Sequence, residues 1–242
     1  MPRNRLIAIV LVAIVAVGIG AYLAYGNVLS GDDVAPLTLP SAGAATSDPV
    51  AVASDAVAGD GSVAGTWNVA VGSEAGYRVR EQLANLPAES DAIGRTSDVT
   101  GSITLIAAGD GAQLTEGTLT VDTTTIASDE SRRDNRMRSD GLQTDQFPTA
   151  SFTITAPVDI PAAALAGTAT DVTLTGDLTL HGVTKAVQIP AQAQLVDGGI
   201  QVVGSISFPL SDYGITAPNV GGFIISVADQ GALEFLVAFE PA

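Results

Sequence analysis

Apolar and polar residues alternate with a period of two along most of the chain after residue 65, which is typical of half-buried β-strands. The clearest stretch reads DVTLTGDLTLHG, residues 171–182, where Val172, Leu174, Leu178 and Leu180 point one way and mostly threonines point the other. The same alternation recurs at Leu119, Val121, Phe152, Ile154, Val202, Ile206, Phe208, Leu210, Phe223, Ile225, Val227, Leu233, Phe235, Val237 and Phe239.

Short segments rich in Gly and Asp separate these stretches. Residues 107–112, 196–199 and 228–231 carry the residues that tight hairpin turns require, so an antiparallel meander is predicted. About eight strands with one apolar face each indicate a closed up-and-down barrel or a sandwich. Residues 128–148 break the rhythm and predict a short helix plus a loop.

The N-terminal region has a different pattern, because no charge occurs between Leu6 and Tyr25. These twenty residues would form a helix about 30 Å long, which matches the hydrocarbon core of a bilayer. Arg3 and Arg5 precede the segment and no basic residue follows it before Arg78. The positive-inside rule therefore predicts a single-pass anchor in the cytoplasmic membrane, with residues 1–5 cytoplasmic and the rest extracytoplasmic. A cleaved signal peptide is the alternative, and it would make the protein secreted.

Residues 26–65 contain no aromatic and no basic residue and are rich in Ala, Gly, Ser, Asp, Val and Pro. This composition predicts a flexible extracytoplasmic stalk, which as a coil would span roughly 35–40 Å. The remaining residues, 66–242, are the length of one β-domain. The predicted fold is thus an all-β eight-stranded antiparallel barrel with a short helical insertion, preceded by one transmembrane helix.

Composition narrows the function. The 242 residues include no cysteine and one histidine, which argues against thiol chemistry and against the multi-histidine sites of catalytic metals, so neither a metal nor another cofactor is predicted. A formal charge of −16 makes nucleic-acid binding unfavourable. The interior positions are mainly Val, Leu, Ile and Ala, which leaves open whether the barrel holds a dry cavity or is filled by side chains.

Two groups of residues remain as candidate polar sites. His181 is the only imidazole and stands before Gly182, where a hydrogen bond to a neighbouring turn is expected, with ligand contact as the alternative. Residues 128–148 contain four arginines offset by nearby acids. They favour a solvated helix with intrahelical ion pairs. The sharper interpretation turns one or two of these arginines, Arg132 or Arg136, inward to meet an anionic head group.

An ordered series of motifs runs through the domain, and no single motif is specific. The series comprises Gly65-Thr66-Trp67, GYRVRE at 76–81, Arg133-Asp134 with Met137-Arg138-Ser139 and Leu142, FPTASF at 147–152, GDLTLHGVTK at 176–185, and Ser211-Asp212-Tyr213-Gly214-Ile215. Together these residues resemble the YceI-like, polyisoprenoid-binding group of lipocalin-like barrels, over about residues 65 to 240.

The resemblance implies a barrel that holds a long isoprenoid or similar lipid without catalysis. On this basis we expect a membrane-tethered lipid-binding protein that is not an enzyme and that sequesters or transports its ligand. A structural or adhesion module, and a hydrolase using His181, are the alternatives, and a homodimer is left open. The residues expected to line the apolar cavity are Tyr77, Val79, Phe152, Leu178, Leu180, Phe208, Phe223 and Phe235, with Arg132, Arg136 and His181 as head-group contacts.

Overall fold

The computed structural model describes residues 34–40, 63–83, 89–216 and 224–242. Within these ranges no helix is both long and apolar enough to cross a bilayer. The transmembrane helix predicted at residues 6–25 lies outside them.

Eleven strands and two short helices make up the described fold. The strands are β1 (Gly65–Val69), β2 (Glu74–Leu83), β3 (Glu89–Thr96), β4 (Val99–Ala108), β5 (Gly111–Asp122), β6 (Thr149–Ile154), β7 (Val158–Ile160), β8 (Thr170–Leu180), β9 (Val183–Val196), β10 (Gly199–Pro209) and β11 (Ile224–Pro241). Helix α1 (Ser131–Arg136) continues into a π-helical turn, Met137–Gly141, and α2 spans Ala162–Leu165. Single 3-10 turns lie at Thr123–Thr125 and Leu210–Tyr213.

Eight strand positions form a closed antiparallel ring. Its order is β1-β4-β5-β6-β8-β9-β10-β11, and β11 pairs back onto β1 with Trp67 opposite Pro241. β2 and β3 extend the sheet from the other half of β11, while β7 pairs with β5. The predicted all-β, eight-stranded antiparallel barrel with a small helical part is confirmed.

The alternation in β8 places its apolar side chains inside the barrel, with Val172, Leu174, Leu178 and Leu180 all buried. Two-residue turns link β8 to β9 and β9 to β10. In the second, Asp197 and Gly198 both have positive φ angles (52° and 78°), which matches the right-handed twist of the flanking strands. This turn lies within the predicted 196–199 segment.

The turn predicted at residues 228–231 is wrong, because β11 runs through this segment as one strand. On one side of the segment Val227 lies opposite Glu81, and on the other Gly231 lies opposite Val79. β2 supplies one residue between these pairs while β11 supplies three, so the extra residues form a bulge. Pairing with the same neighbour resumes on both sides, which keeps the chain in one strand.

The two ends of the barrel differ. One end, called the mouth below, carries α1 with its π-helical turn, the β8–β9 turn at His181 and Gly182, and the 3-10 turn Leu210–Tyr213. The other end carries α2 and the turns after β4 and β9. The predicted helix in residues 128–148 is therefore present, and its N-terminus is capped by the Glu130 side chain, which accepts from the Arg132 amide at 3.0 Å.

Candidate functional site

The barrel interior is not filled, and two of the cavities in the described part of the chain share lining residues. The main cavity, at the mouth, has a volume of about 940 Å³, and a smaller one of about 100 Å³ lies deeper in the barrel. Tyr77, Leu142, Leu180 and Leu233 line both and so mark the passage between them. A volume of several hundred cubic ångströms with mainly apolar walls is typical of small-molecule sites.

Most of the residues predicted to contact a ligand lie on these walls. Tyr77, Val79, Leu180 and Phe208 line the main cavity. The inner cavity is lined by Phe152, Leu178 and Phe235, together with Tyr77 and Leu180. Phe223 lies outside the described residues. Arg132 and Arg136 border the main cavity at the mouth.

His181 does not line either cavity. Its Nδ1 donates a hydrogen bond to the backbone carbonyl of Tyr213 at 3.0 Å, and its ring packs against Phe147 with 4.4 Å between centroids. The expected structural hydrogen bond between the β8–β9 turn and a neighbouring turn is therefore present. It joins this turn to the 3-10 turn that contains Tyr213.

Arg133 lines the main cavity as well, and its side chain is more buried than those of the two arginines singled out from the sequence. It forms ion pairs with Glu81 at 2.7 Å and with Asp129, and its side chain is only 16% exposed. Burial disfavours the charge on Arg133, but hydrogen bonds and Coulomb attraction from Glu81 and Asp129 outweigh this and raise the pKa of the guanidinium. Sequence reasoning missed Glu81 too, although it continues the alternation of Tyr77 and Val79.

Two buried donors on the cavity wall lack partners within the described part of the chain. They are the Tyr77 hydroxyl and the Arg133 Nε. The Tyr77 ring packs directly against the backbone of Gly94. A methyl group at position 94 would stand 2.4 Å from the Tyr77 Cε1 atom, so only glycine leaves room for the ring. Because buried donors normally find an acceptor, each of these donors marks a place where a polar atom of a bound molecule would be stabilised.

Burial raises the pKa of the Tyr77 hydroxyl to about 12, with nearby carboxylates adding to the effect and Arg133 opposing it. The folded state thus favours the neutral phenol, so its stabilising contribution is complete below pH 10 and is lost as the pH rises from 10 to 12. We expect the free energy of unfolding to fall over this interval by roughly 2 to 3 kcal/mol. Urea titrations at several pH values, with Tyr77→Phe as the control that removes this loss, would measure it. An equal fall in both proteins would contradict the assignment.

Comparison with known proteins gives consistent results. A family model described as a YceI-like domain matches residues 69–239. A UPF0312 protein from Shewanella denitrificans is 35% identical over 132 residues, and the match covers 51% of this chain and 63% of the relative. The match thus spans less than two thirds of that relative's length.

Solved structures show the same fold at low sequence identity. A polyisoprenoid-binding domain from Saccharophagus degradans, implicated in plant cell wall breakdown, superposes with a TM-score of 0.56 at 19% identity, covering 74% of this chain and 99% of that domain. BcnA from Burkholderia cenocepacia gives a TM-score of 0.51 at 18% identity, covering 69% of this chain and 95% of that protein. Both likenesses concern the barrel.

Proposed function

The chain belongs to the YceI-like family, and from this we propose that it binds an isoprenoid or other long-chain lipid inside the barrel, as a carrier or store rather than an enzyme. The observation that carries the proposal is the main cavity of about 940 Å³, open at the mouth and continued by the inner cavity. The polyisoprenoid-binding domain of similar fold supports the same ligand class.

The walls favour an apolar chain over a polar one. Leu180 and Leu233 border the passage into the inner cavity, whose lining is almost entirely apolar. Each methylene moved from water into such a space contributes about 0.8 kcal/mol. A long chain would therefore bind through burial alone, with its tail directed past these two leucines towards Phe152 and Phe235.

A polar end of the ligand would lie near the mouth. The Tyr77 hydroxyl and the Arg133 Nε offer two donors there, and Arg133 already shares its charge with Glu81 and Asp129. Oxygen acceptors on the ligand would satisfy these donors without bringing a further charge into the cavity. Arg132 and Arg136 border the same opening and remain the predicted outer contacts.

We place this activity at the outer face of the cytoplasmic membrane. The uncharged segment from Leu6 to Tyr25 and the arginines before it support a single-pass anchor with the barrel outside. A tethered barrel would take up lipid from that membrane, shield its chain from water and release it nearby.

The proposal is tested by filling the passage between the cavities. We expect full-length protein in detergent micelles to gain the mass of one geranylgeraniol in native mass spectrometry. Leu233→Trp should weaken this binding at least about tenfold, because the indole occupies the space through which the chain must pass. Ile106→Trp, at an outer position that is 46% exposed, is the matched control and should bind as the unaltered protein does.

Circular dichroism would establish that both tryptophan variants are folded. If Leu233→Trp does not fold, Ala92→Phe narrows the main cavity from another wall and replaces it. Failure of the unaltered protein to bind geranylgeraniol, farnesol and palmitate would refute lipid binding. Equal affinity of Leu233→Trp and Ile106→Trp would refute the barrel interior as the site.

A further inference from the structure

Residues 34–40, called the strap below, lie on the outer wall of the barrel although more than twenty residues separate them from β1. Arg78 donates to the Val34 carbonyl and Arg95 to the Ala35 carbonyl, both at 2.9 Å. At the other end of the strap, the Gln194 side-chain amide donates to the Pro40 carbonyl at 3.3 Å. The strap thus reaches from β2 and β3 to β9.

Three buried side chains lie on the outside of the barrel beside the strap. Glu234 and Gln194 are each 4% exposed and Val203 is 9% exposed, although all three alternate with inward-facing neighbours. Leu37 of the strap borders the same outer groove as Val203 and Glu234. Side chains on the outer wall of a barrel normally contact water, so the burial of these three agrees with a strap that is docked against them.

An ionic cluster fixes the first half of the strap. The Glu234 carboxylate lies 2.7 Å from Arg95 and 3.4 Å from Arg78, and Arg78 also pairs with Asp91 at 3.1 Å. Each arginine keeps one N–H for a strap carbonyl. The carboxylates hold both guanidinium groups in place, so the strap carbonyls meet donors that are already oriented.

The strap has a direction relative to the mouth. Positions along the barrel axis can be compared on β10. Arg78 and Ser207 both lie opposite Ala232, so Arg78 is at the height of Ser207. Gln194 lies opposite Gln201 and is therefore at the height of Gln201. Ser207 and Gln201 are six residues apart on β10, which corresponds to about 20 Å, and Gln201 is nearer the end opposite the mouth. Seven residues reach at most about 25 Å, so the strap is close to fully extended along this direction. The chain therefore enters the strap from the side of the mouth.

This direction matters for a tethered protein. Only residues 26–33 separate the predicted membrane segment from the strap, and eight residues span at most about 29 Å. Counted to β1, the connection would be some forty residues long. Docking of the strap thus shortens the effective tether and makes the mouth end the one that leads back to the anchor.

The charge of the helical segment at the mouth agrees with this orientation. The chain carries a net charge of −16, but residues 129–140 at the mouth hold four arginines and four acids and are neutral as a group. An acidic surface is repelled by anionic lipid head groups, and a neutral one is not. The helical segment beside the cavity opening is therefore repelled less than the acidic remainder of the domain.

We propose that the strap orients the barrel so that the cavity mouth faces the lipid surface, which would let a lipid pass between bilayer and cavity with little exposure to water. This inference rests on the membrane tether of the proposed function. The partner surface is a bilayer, met by α1 and the turns around it. The strap acts as a fixed arm that sets which end of the barrel is near the membrane.

Single cysteines can test the orientation because the chain has none of its own. We would label Asn135→Cys at the mouth and Asp110→Cys in the β4–β5 turn at the opposite end, both exposed positions, with the same fluorophore. Full-length protein would be placed in phosphatidylcholine and phosphatidylglycerol vesicles containing a head-group nitroxide lipid. We expect quenching at position 135 to be at least about twice that at position 110, because quenching requires close approach.

Replacing residues 34–40 with Gly and Ser at equal length should make quenching at positions 135 and 110 equal. Geranylgeraniol binding by the same protein is the control that shows the barrel to be intact. Equal quenching at both labels with the natural strap, or an unchanged difference without it, would overturn the orienting role. Protein that does not float with the vesicles would refute the tether and the orientation together. Protein that floats and binds lipid but shows equal quenching would refute the orientation alone.

Discussion

Glu81→Ala is expected to lower the free energy of unfolding by about 3 kcal/mol, because it leaves the Arg133 charge inside the barrel without its buried partner. Glu81 is 3% exposed and lies 2.7 Å from Arg133. The loss stays at the lower end of the range for buried pairs, since Arg133 keeps Asp129 and is partly exposed. In a domain of this size the melting temperature should fall by roughly 6 to 12 °C, which thermal scans would measure.

A double variant distinguishes the cost of an unpaired buried charge from the cost of lost packing. Glu81→Leu combined with Arg133→Leu removes both charges, and we expect it to regain at least half of the lost stability. Asp140→Ala breaks the exposed ion pair with Arg136 on the same helical segment and should leave the melting temperature unchanged. If Glu81→Ala and Asp140→Ala had the same melting temperature, the ion pair between Glu81 and Arg133 would have no structural role.

Phe152→Ala should lower the free energy of unfolding by about 3 to 5 kcal/mol in the lipid-free protein. Phe152 is 8% exposed, lines the inner cavity and contacts Gly176, where a methyl group would stand 2.6 Å from the Phe152 Cζ atom. Truncation therefore enlarges a space that has no other side chain to fill it. Urea unfolding with and without geranylgeraniol would measure the loss, and we expect bound lipid to recover part of it by occupying the enlarged cavity.

Phe208→Ala is the matched control for this change. Phe208 lines the main cavity at the mouth and is only partly buried, with its ring against Tyr213 at 5.0 Å. Its truncation should therefore be less costly and less sensitive to lipid. Losses of equal size at the two positions, or no recovery of Phe152→Ala with lipid, would contradict a tail site in the inner cavity.

The barrel was predictable because its information is local and repeated. In β8 the alternation of Val172, Leu174, Leu178 and Leu180 identifies the buried face without reference to the rest of the chain. The turn predicted at residues 228–231 is wrong because Gly and Asp are compatible with a β-bulge as well as with a hairpin turn. Only the pairing of β11 with β2 on both sides of it distinguishes these outcomes.

The candidate site was predictable in its apolar part and less so in its polar part. Period two assigns Tyr77 and Val79 to the interior, and it assigns Glu81 there as well, against the usual preference of a carboxylate for water. Which arginine turns inward depends on how α1 is rotated over the mouth, and four arginines within seven residues do not specify that rotation. Arg133 is selected because Glu81 is there to pair with it.

The closing pair of the ring sets an order of events in folding. Trp67 pairs with Pro241, so the hydrogen bonds that complete the barrel join segments 174 positions apart in sequence. Contacts of such long range form late, because the chain between them must be ordered before the loop can close. While the domain folds, the interior would stay open to water along this seam until β11 has paired, so a ligand present at that moment would have access from the side as well as through the mouth.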